Sequence, residues 1–335
     1  MIVRYNALLT RLNTFGLPAR VARLVEIESE EELVGFLKKN TEQVRVLGGG
    51  SNLLLSRDLP ETLLLNRIKG RKILKEENES LISFGGGENW HEAVLYCLEH
   101  QLGGIENLSL IPGTVGASPI QNIGAYGVEL KDVFEELTAI DLTSAERFTF
   151  RSEDMEFGYR DSVFKRALRG KMIISEVTLR LHHDPYRVNT QYGAIRKTLE
   201  ERGISKPTIH DVSRAVIDIR RSKLPDPSEL GNSGSFFKNP VLTAEQFEEL
   251  RQRSEDPAHY PLPDGSYKVP AGWLIDQAGW RGKRTGNVGT YKHQALVLVN
   301  HGNATGADVW NLAQAIRADV QEKFGILLEP EVNVW

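Results

Sequence analysis

Residues 111–130 read IPGTVGASPIQNIGAYGVEL, and this stretch says the most about the fold. No charged residue occurs from Ile111 to Val128, although a flexible linker is normally polar. A core strand contains few glycines, whereas this stretch has four, which are Gly113, Gly116, Gly124 and Gly127. Glycine lets another group approach the main chain closely. The stretch therefore predicts a loop moulded around a bound ligand, with backbone N–H groups as donors.

A second glycine-rich segment, LGGGSN at residues 47–52, follows a predicted strand at 44–47. Successive backbone N–H groups in such a turn can form an anion-binding nest. Alone, the segment is better explained as a turn between strands, but together with the 111–127 loop it favours a phosphate-bearing cofactor. The chain contains neither GxGxxG nor GxxxxGK[ST], so a dinucleotide would require a fold other than the Rossmann domain.

The composition is that of a soluble protein with room for two or three domains in 335 residues. The formal net charge of -4 disfavours a general role in nucleic-acid binding. A single cysteine, Cys97, excludes an internal disulfide and fits a reducing compartment. Neither an apolar signal core at the N-terminus nor an apolar run long enough for a membrane span occurs. We expect a cytoplasmic protein without a membrane partner.

Short predicted strands and helices alternate along the chain. Strands are predicted at 44–47, 62–65, 137–142, 172–181 and 331–335, and helices at 30–39, 90–101, 211–221 and from 305 onward. Asn89 with Glu92, and Thr305 with Asp308, have the spacing of helix N-terminal caps. The residues LPDP at 224–227 break the third helix and indicate a domain boundary.

Several other segments are ambiguous when each is taken alone. GNSGSFFKNP at 231–240 lacks the GxSxG spacing of hydrolases. It is as consistent with a surface turn held by two aromatic side chains as with a functional loop. Tyr159–Ser162 and Glu329–Glu331 would normally be solvated charged residues. His91 and Glu92 begin like a zinc-protease motif, but Leu95 replaces the second histidine, so no metal site is expected.

Taken together and in this order, these segments resemble the UDP-N-acetylenolpyruvoylglucosamine reductase (MurB) family. The resemblance extends nearly from end to end and is carried by residues 13–16, 47–52, 111–127, 158–162, 223–227, 234–240, 271–277 and 328–332. The segment TQYG at 190–193 looks like the longer form of the family. Asn333 departs from the pattern, because many relatives have arginine there.

The resemblance implies an α+β fold with an FAD-binding domain of the vanillyl-alcohol oxidase (PCMH) type. That domain would cover residues 1–205, in lobes of about 1–67 and 68–205. A substrate-binding α+β domain would cover 206–335, with residues 326–335 returning to the active site. The implied FAD-binding residues are Gly48, Gly49, Gly50, Ser51, Asn52, Ile111, Pro112, Gly113, Thr114, Gly116, Ala117, Ser118, Asn122, Gly124, Ala125, Tyr126 and Gly127.

By the same resemblance, NADPH would reduce non-covalently bound FAD. The flavin would then reduce UDP-N-acetylglucosamine enolpyruvate to UDP-N-acetylmuramate, a step of peptidoglycan and cell-wall synthesis. Arg160 and Glu331 would stabilise the enolate-like charge, with Glu331 protonated, and Ser235, not the nearby Ser233, would donate the proton. The implied substrate-binding residues are Tyr192, Lys223, Asn239 and Tyr260. The protein would be a monomer.

Two other functions fit parts of this pattern. A flavin-dependent oxidase or dehydrogenase of the same fold would act on an alcohol or hydroxy acid and would not need Ser235 as a proton donor. A non-catalytic sensor of flavin or UDP-sugar would bind without turnover, and the presence of Arg160, Ser235 and Glu331 argues against it.

Overall fold

Two α+β units make up the protein in a computed structural model that describes residues 1–335, apart from the side chain of Lys75. The first unit comprises residues 1–7, 21–49 and 60–220, and the second comprises 8–20, 50–59 and 221–335. The chain leaves the first unit for the last time after Arg220, shortly before the predicted boundary at 224–227. The functional division at 205/206 remains a prediction.

The strands, in chain order, are β1 (Ile2–Leu8), β2 (Arg20–Ile27), β3 (Val44–Leu47), β4 (Leu53–Leu54), β5 (Leu59–Asn66), β6 (Arg71–Lys75), β7 (Glu79–Gly85), β8 (Gly124–Ala125), β9 (Val128–Glu129), β10 (Phe134–Asp141), β11 (Arg147–Arg151), β12 (Met172–His182), β13 (Gly231–Ser235), β14 (Val241–Leu242), β15 (Tyr260–Pro261), β16 (Tyr267–Lys268), β17 (Arg284–Thr285), β18 (Val288–Thr290), β19 (Val297–Asn300) and β20 (Asn333–Val334).

The α-helices are α1 (Glu30–Leu37), α2 (Trp90–Glu99), α3 (Gly193–Glu201), α4 (Ile209–Lys223), α5 (Ala244–Arg253), α6 (Ala271–Gln277) and α7 (Gly306–Phe324). The four helices predicted from the sequence all form, as α1, α2, α4 and α7. Asn89 caps α2 by accepting a hydrogen bond from the Glu92 amide at 3.0 Å. Thr305 and Asp308 form the predicted reciprocal cap of α7.

Two sheets dominate the first unit. One has the strand order β1-β2-β5-β3, with β3 and β5 parallel, and the other is antiparallel with the order β11-β10-β12-β7-β6. Helix α2 buries its apolar face in the core cluster that also contains Ile82 and Phe84 of β7. The glycines at 85–87 end β7 and lead into α2. This arrangement places the start of α2 beside the 111–127 loop.

The second unit is built around one large apolar core. Strands β13, β19, β18 and β17 form a sheet in that order, and α7 packs against it with Val309, Leu312 and Ile316 fully or almost fully buried. The chain ends in β20, which pairs in parallel with β4. The strand predicted at 331–335 is thereby confirmed in a shorter form, and it fixes the residues around Glu331.

None of the helices in the described part of the chain is long and apolar enough to cross a membrane.

Candidate active site

The 111–127 loop begins at a backbone bend that two side chains of the first unit hold in place. Leu110 has a φ of +58°, a left-handed conformation that is uncommon for a residue with a side chain. The Leu110 amide donates to Nδ1 of His91 at 3.0 Å, and the Leu110 carbonyl accepts from Nε of Arg220 at 3.2 Å. His91, which the sequence could place only in a failed metal motif, therefore fixes the entry to the loop.

The two glycine-rich segments meet within the first unit. A Cβ atom on Gly49 would lie 2.9 Å from Cα of Gly113, and one on Gly48 would lie 2.7 Å from Oγ1 of Thr114. Distances this short leave no space for a side chain at either position. The group that approaches the main chain of Gly48 and Gly49 is therefore the protein's own backbone at 113–114. Two predicted cofactor-binding turns are thereby brought together.

The backbone amides divide into donors already used by the protein and donors left open. The amide of Val115 donates to the Glu88 carbonyl, and that of Gly116 to the Gly86 carbonyl, both at 2.9 Å. Among the described residues, no protein acceptor takes the amides of Gly48, Gly49, Gly113 and Thr114. These open amides lie on the two segments that touch. They fit an anionic group such as a diphosphate. Fewer backbone amides are thus available to a ligand than the sequence of the whole 111–127 loop led us to expect.

Arg160 lies at the tip of a tight turn beside the same loop. Gly158 and Asp161 exchange backbone hydrogen bonds of 3.0 and 3.3 Å around it, and Arg160 has a φ of +54°. Its guanidinium Nη2 donates to the Gly124 carbonyl at 2.5 Å, and Lys165 Nζ donates to the Arg160 carbonyl at 2.9 Å. The structure thus brings the predicted catalytic arginine against the predicted flavin loop.

Asn122 joins the loop to the turn and is fully buried. Its Nδ2 donates to Oε2 of Glu129 at 2.9 Å and to the Gly158 carbonyl at 3.1 Å, while its Oδ1 accepts from the Lys131 amide at 3.0 Å. The side-chain amide of Asn122 is therefore occupied inside the protein. Its predicted contact with FAD is left to its main chain, and the side chain instead holds the Arg160 turn.

Two tyrosines and a second arginine stand near the C-terminal end of the loop. The rings of Tyr126 and Tyr192 pack edge to face with centroids 5.1 Å apart. Burial raises the pKa of the Tyr126 hydroxyl, and a hydrogen bond to Arg220 opposes that shift. Burial lowers the pKa of the Arg220 guanidinium, Tyr126 counteracts the decrease, and the positive charge of Arg160 adds to it. No described carboxylate forms an ion pair with Arg220.

Arg220 is the residue of this cluster that the sequence analysis missed. The basic residues at 220–223 stand in the last turn of α4, where positive charge is common for electrostatic reasons alone. Arg220 lies four residues after the buried Val216, so helical periodicity directs it inward, while Arg221 is exposed. The signal was therefore present in the spacing and was hidden by the basic neighbours.

In the second unit, Ser235 ends β13 directly before two buried rings. Gly234 has a φ of +67°, and the pairing of β13 with β19 is irregular between Asn232 and Ser235. Phe236 and Phe237 are both fully buried with ring centroids 5.1 Å apart. The rings anchor the segment, and the irregular turn leaves Ser235 half-buried.

The two serines of this segment have different surroundings. Ser233 is 5% exposed, and its hydroxyl donates to the Leu53 carbonyl at 3.1 Å. For Ser235, no hydroxyl partner exists among the described residues. A hydroxyl that is already donating inside the protein is poorly suited to transfer a proton to a substrate. This difference favours Ser235, as the resemblance predicts.

The C-terminal segment runs beside Ser235 within the same unit. The Glu331 amide donates to the Phe236 carbonyl at 2.8 Å, and Phe237 bridges to Pro330. Asn333 donates from both its amide and its Nδ2 to the Asn52 carbonyl, each at 3.1 Å, and Asn52 Nδ2 reaches the Glu331 carbonyl at 3.4 Å. The structure therefore joins Ser235, Glu331 and the end of the 48–52 turn. Asn333 has a clear local role in that connection.

At Gly50, two residues before Asn52, a Cβ atom would collide with the Leu12 carbonyl oxygen, so a side chain is excluded there. The remaining predicted substrate residues of the second unit are more dispersed. Asn239 Oδ1 accepts from the Ala271 amide at 2.9 Å, which leaves its Nδ2 for another partner. Tyr260 is 62% exposed on β15, and Lys223 is exposed at the end of α4.

Comparison with known families matches two parts of the chain. The C-terminal domain of UDP-N-acetylenolpyruvoylglucosamine reductase matches residues 226–335, and an FAD binding domain family matches residues 18–148. The second match covers the turn at 48–52 and the whole 111–127 loop. The expected α+β fold with an FAD-binding domain and a distinct C-terminal domain is thereby confirmed.

Curated relatives match over almost the full length. The UDP-N-acetylenolpyruvoylglucosamine reductase of Flavobacterium johnsoniae is 46% identical over 336 residues, covering 100% of both chains. That of Pseudomonas aeruginosa is 50% identical and covers 96% of each chain. The crystal structure of the Thermus caldophilus protein MurB aligns over 100% of both chains with a TM-score of 0.68 at 24% identity, which supports the fold.

Proposed function

The chain belongs to the UDP-N-acetylenolpyruvoylglucosamine reductase family, and from that premise we propose that it reduces UDP-N-acetylglucosamine enolpyruvate to UDP-N-acetylmuramate for peptidoglycan synthesis. FAD is its cofactor, and NADPH is the electron donor that we propose. The protein would work in the cytoplasm as a monomer. One observation carries the proposal furthest, namely the hydrogen bond that fixes the guanidinium of Arg160 to Gly124 of the flavin loop.

The described residues fit a bound flavin dinucleotide. The open amides at 48–49 and 113–114 suit its diphosphate, and the glycines leave no side chain to block the approach. When bound, FAD transfers hydride equivalents from NADPH to the enolpyruvyl double bond. We propose that the whole predicted set of FAD-binding residues lines this cofactor, with Asn122 contributing through its backbone.

Arg160 and Glu331 would act on the substrate carboxylate. Negative charge develops at C2 of the enolpyruvyl group during reduction and spreads into that carboxylate. A fixed cation beside it stabilises the transition state more than the ground state, because the charge there is greater. A protonated Glu331 would add a hydrogen bond. Arg160 is held by its turn before substrate arrives, so little reorganisation is required.

Ser235 would deliver the proton to C2. A serine hydroxyl is a weak acid, so it needs a strongly basic acceptor such as a carbanion-like C2. No described residue accepts a hydrogen bond from the Ser235 hydroxyl, which supports this role, whereas the Ser233 hydroxyl donates to the Leu53 carbonyl. The proton is then replaced from solvent.

The UDP-sugar would be bound by the other predicted residues. Lys223 suits the diphosphate, and Tyr192 and Tyr260 can cover the nucleotide or sugar. The side-chain NH₂ group of Asn239 has no partner among the described residues. We add Arg220 to this set, because a half-buried guanidinium with no ion-paired carboxylate among the described residues is a strong site for a phosphate group.

A single preparation tests the proposal. The purified protein should show a flavin absorption spectrum, and it should oxidise NADPH only when UDP-N-acetylglucosamine enolpyruvate is present. A protein that takes up no FAD would contradict the proposal. Flavin reoxidised by oxygen with an alcohol or hydroxy acid as the electron source would support an oxidase instead, and binding without turnover would support a sensor.

A further inference from the structure

Asn107 is a buried residue that no part of the proposed reaction uses, yet it links two segments of the site. We infer that Asn107 is a positioning residue that sets the Tyr192 segment against the end of the flavin loop and thereby governs binding of the UDP-sugar. The inference rests on the proposed function, since it assigns Tyr192 to the substrate. All of the groups concerned lie in the first unit.

The amide group of Asn107 uses both of its hydrogens on main-chain carbonyls. Nδ2 donates to the Tyr126 carbonyl at 3.0 Å and to the Asn189 carbonyl at 2.9 Å. Asn107 is 0% exposed, so water does not compete for these bonds. One NH₂ group therefore fixes the spacing between the end of the 111–127 loop and the segment that precedes Tyr192.

Asn189 returns the connection from the other side. Its Nδ2 donates to the Gly127 carbonyl at 3.0 Å, and its Oδ1 accepts from the Gln191 amide at 3.1 Å. The loop residues 126–127 and the residues 189–191 are thus connected through two asparagine side chains. Tyr126 and Tyr192, which flank this connection, are the pair in edge-to-face contact.

Asn107 itself is held firmly on both sides. The Glu106 carboxylate accepts from the Gly104 amide at 2.7 Å, and the Ser109 hydroxyl donates to the Glu106 carbonyl at 2.7 Å. Ser109 Oγ also lies 2.8 Å from Oγ of Ser213 on α4. The turn that carries Asn107 is therefore a rigid support, and the asparagine transmits its position to the two tyrosines.

The Oδ1 atom of Asn107 indicates that the residue is an asparagine because of its two N–H donors. Oδ1 of Asn107 is buried and has no hydrogen-bond partner among the described residues. An unpaired buried acceptor is unfavourable. An apolar residue would avoid that cost if stability alone determined the choice. Asparagine supplies two donors from one atom, which the connection requires.

Loss of the Asn107 hydrogen bonds should affect binding of the UDP-sugar much more than the chemistry at the flavin. The bonds of Asn107 reach the end of the 111–127 loop, whereas the open amides at 113–114 lie at its beginning. Loss of the connection should loosen Tyr192 and raise KM for the UDP-sugar. FAD content and the reduction of bound FAD by NADPH should change much less than KM, because the open amides at 48–49 and 113–114 are untouched.

The test compares Asn107→Ala, Tyr192→Ala and the double variant in steady-state kinetics of the FAD-loaded enzyme. Asn107→Ala should raise KM for UDP-N-acetylglucosamine enolpyruvate about tenfold with kcat within about twofold. If Asn107 acts through Tyr192, the same change in the Tyr192→Ala background should raise KM less than about threefold. Equal factors in both backgrounds, or an unchanged KM in the single variant, would overturn the inference.

Two further variants guard against misfolding as the cause. Asn189→Ala removes the return bond without emptying a buried site, and it should raise KM about threefold with normal FAD content. Ser80→Ala removes a fully buried hydroxyl bonded to His183 in the same unit and should lower stability without changing KM. A rise in KM for Ser80→Ala equal to that for Asn107→Ala would also contradict the positioning role. If the parent enzyme itself shows no turnover, the proposed function fails instead.

Discussion

The Arg160 region and the Ser235 region are held by different kinds of interaction. Arg160 sits on a turn that is fixed by polar side chains. The side chains of Asn122, Lys165 and Arg160 itself each donate a hydrogen bond to a main-chain carbonyl. Ser235 sits on a strand fixed by main-chain bonds to β19 and to the C-terminal segment, over the buried rings of Phe236 and Phe237. The first region should therefore be sensitive to single polar substitutions, and the second to loss of apolar volume.

The largest effect should come from Ser235, the proton donor that we propose in the second region. Ser235→Ala should slow reoxidation of reduced flavin by the enolpyruvyl substrate about a thousandfold, because no proton reaches C2. Reduction of the flavin by NADPH should be unchanged. Stopped-flow absorbance of the flavin measures both half-reactions. Ser233→Ala is the matched control, and equal reoxidation rates in Ser235→Ala and the parent would remove Ser235 from the mechanism.

The apolar anchor of the second region is tested by Phe237→Ala. A fully buried ring is lost, so the free energy of unfolding should fall by about 3–4 kcal/mol, as in other Phe→Ala core substitutions. Denaturant unfolding measures the change. Phe148→Ala, at a ring 42% exposed on β11, is the control and should change stability far less. A loss below about 1 kcal/mol for Phe237→Ala would show that the rings do not anchor Ser235.

The polar support of the first region is tested by Asn122→Ala. Three buried hydrogen bonds are lost, which should cost about 2–3 kcal/mol of stability and displace Arg160. The value of kcat for the enolpyruvyl substrate should fall at least about tenfold with FAD still bound. If kcat is unchanged in a folded, FAD-loaded variant, the turn does not depend on Asn122, and the contrast between the regions is wrong.

The smallest expected effect is a change in stability from the N-terminal cap of α7. This helix supports the second region, because Nε of its Arg317 donates to the Leu328 carbonyl, three residues before Glu331. Hydrogen bonds from the Thr305 amide and hydroxyl hold the pKa of Asp308 below its ordinary value. A pKa depressed by folding stabilises the native state above the unfolded-state pKa, and the contribution is lost as pH falls through the folded-state pKa. Asp308→Asn should therefore lower the melting temperature more near pH 7 than at about pH 3, which lies below the ordinary aspartate pKa. Calorimetry at both pH values tests this, and an equal difference at both would contradict it.

Much of the fold followed from local patterns in the sequence. Helices α1, α2, α4 and α7 and the strands around β3, β10 and β12 lie where periodicity and caps predict them. The sequence also marked both glycine-rich segments as ligand-binding turns. It did not show that Gly48 and Gly49 pack against Thr114 and Gly113, because contacts between distant segments leave no periodic signal.

The side chains of the candidate site divide in the same way. Motif order predicted Arg160, Ser235 and Glu331 as catalytic residues, but it could not show that Asn122 turns inward to hold the Arg160 turn. It also missed Arg220, whose partial burial depends on how α4 is rotated against its neighbours. Asn107 belongs to no sequence motif. Only its hydrogen bonds to the Tyr126 and Asn189 carbonyls indicate the positioning role that we propose.

The sequence by itself determined the residue types, the local elements and the family, because these depend on neighbours within a few positions and on the order of motifs. The tertiary structure decided which backbone amides stay open, which serine keeps an uncommitted hydroxyl and which asparagines hold the loops. Those properties depend on hydrogen bonds between residues far apart in the chain, and such bonds are fixed only when the chain has folded.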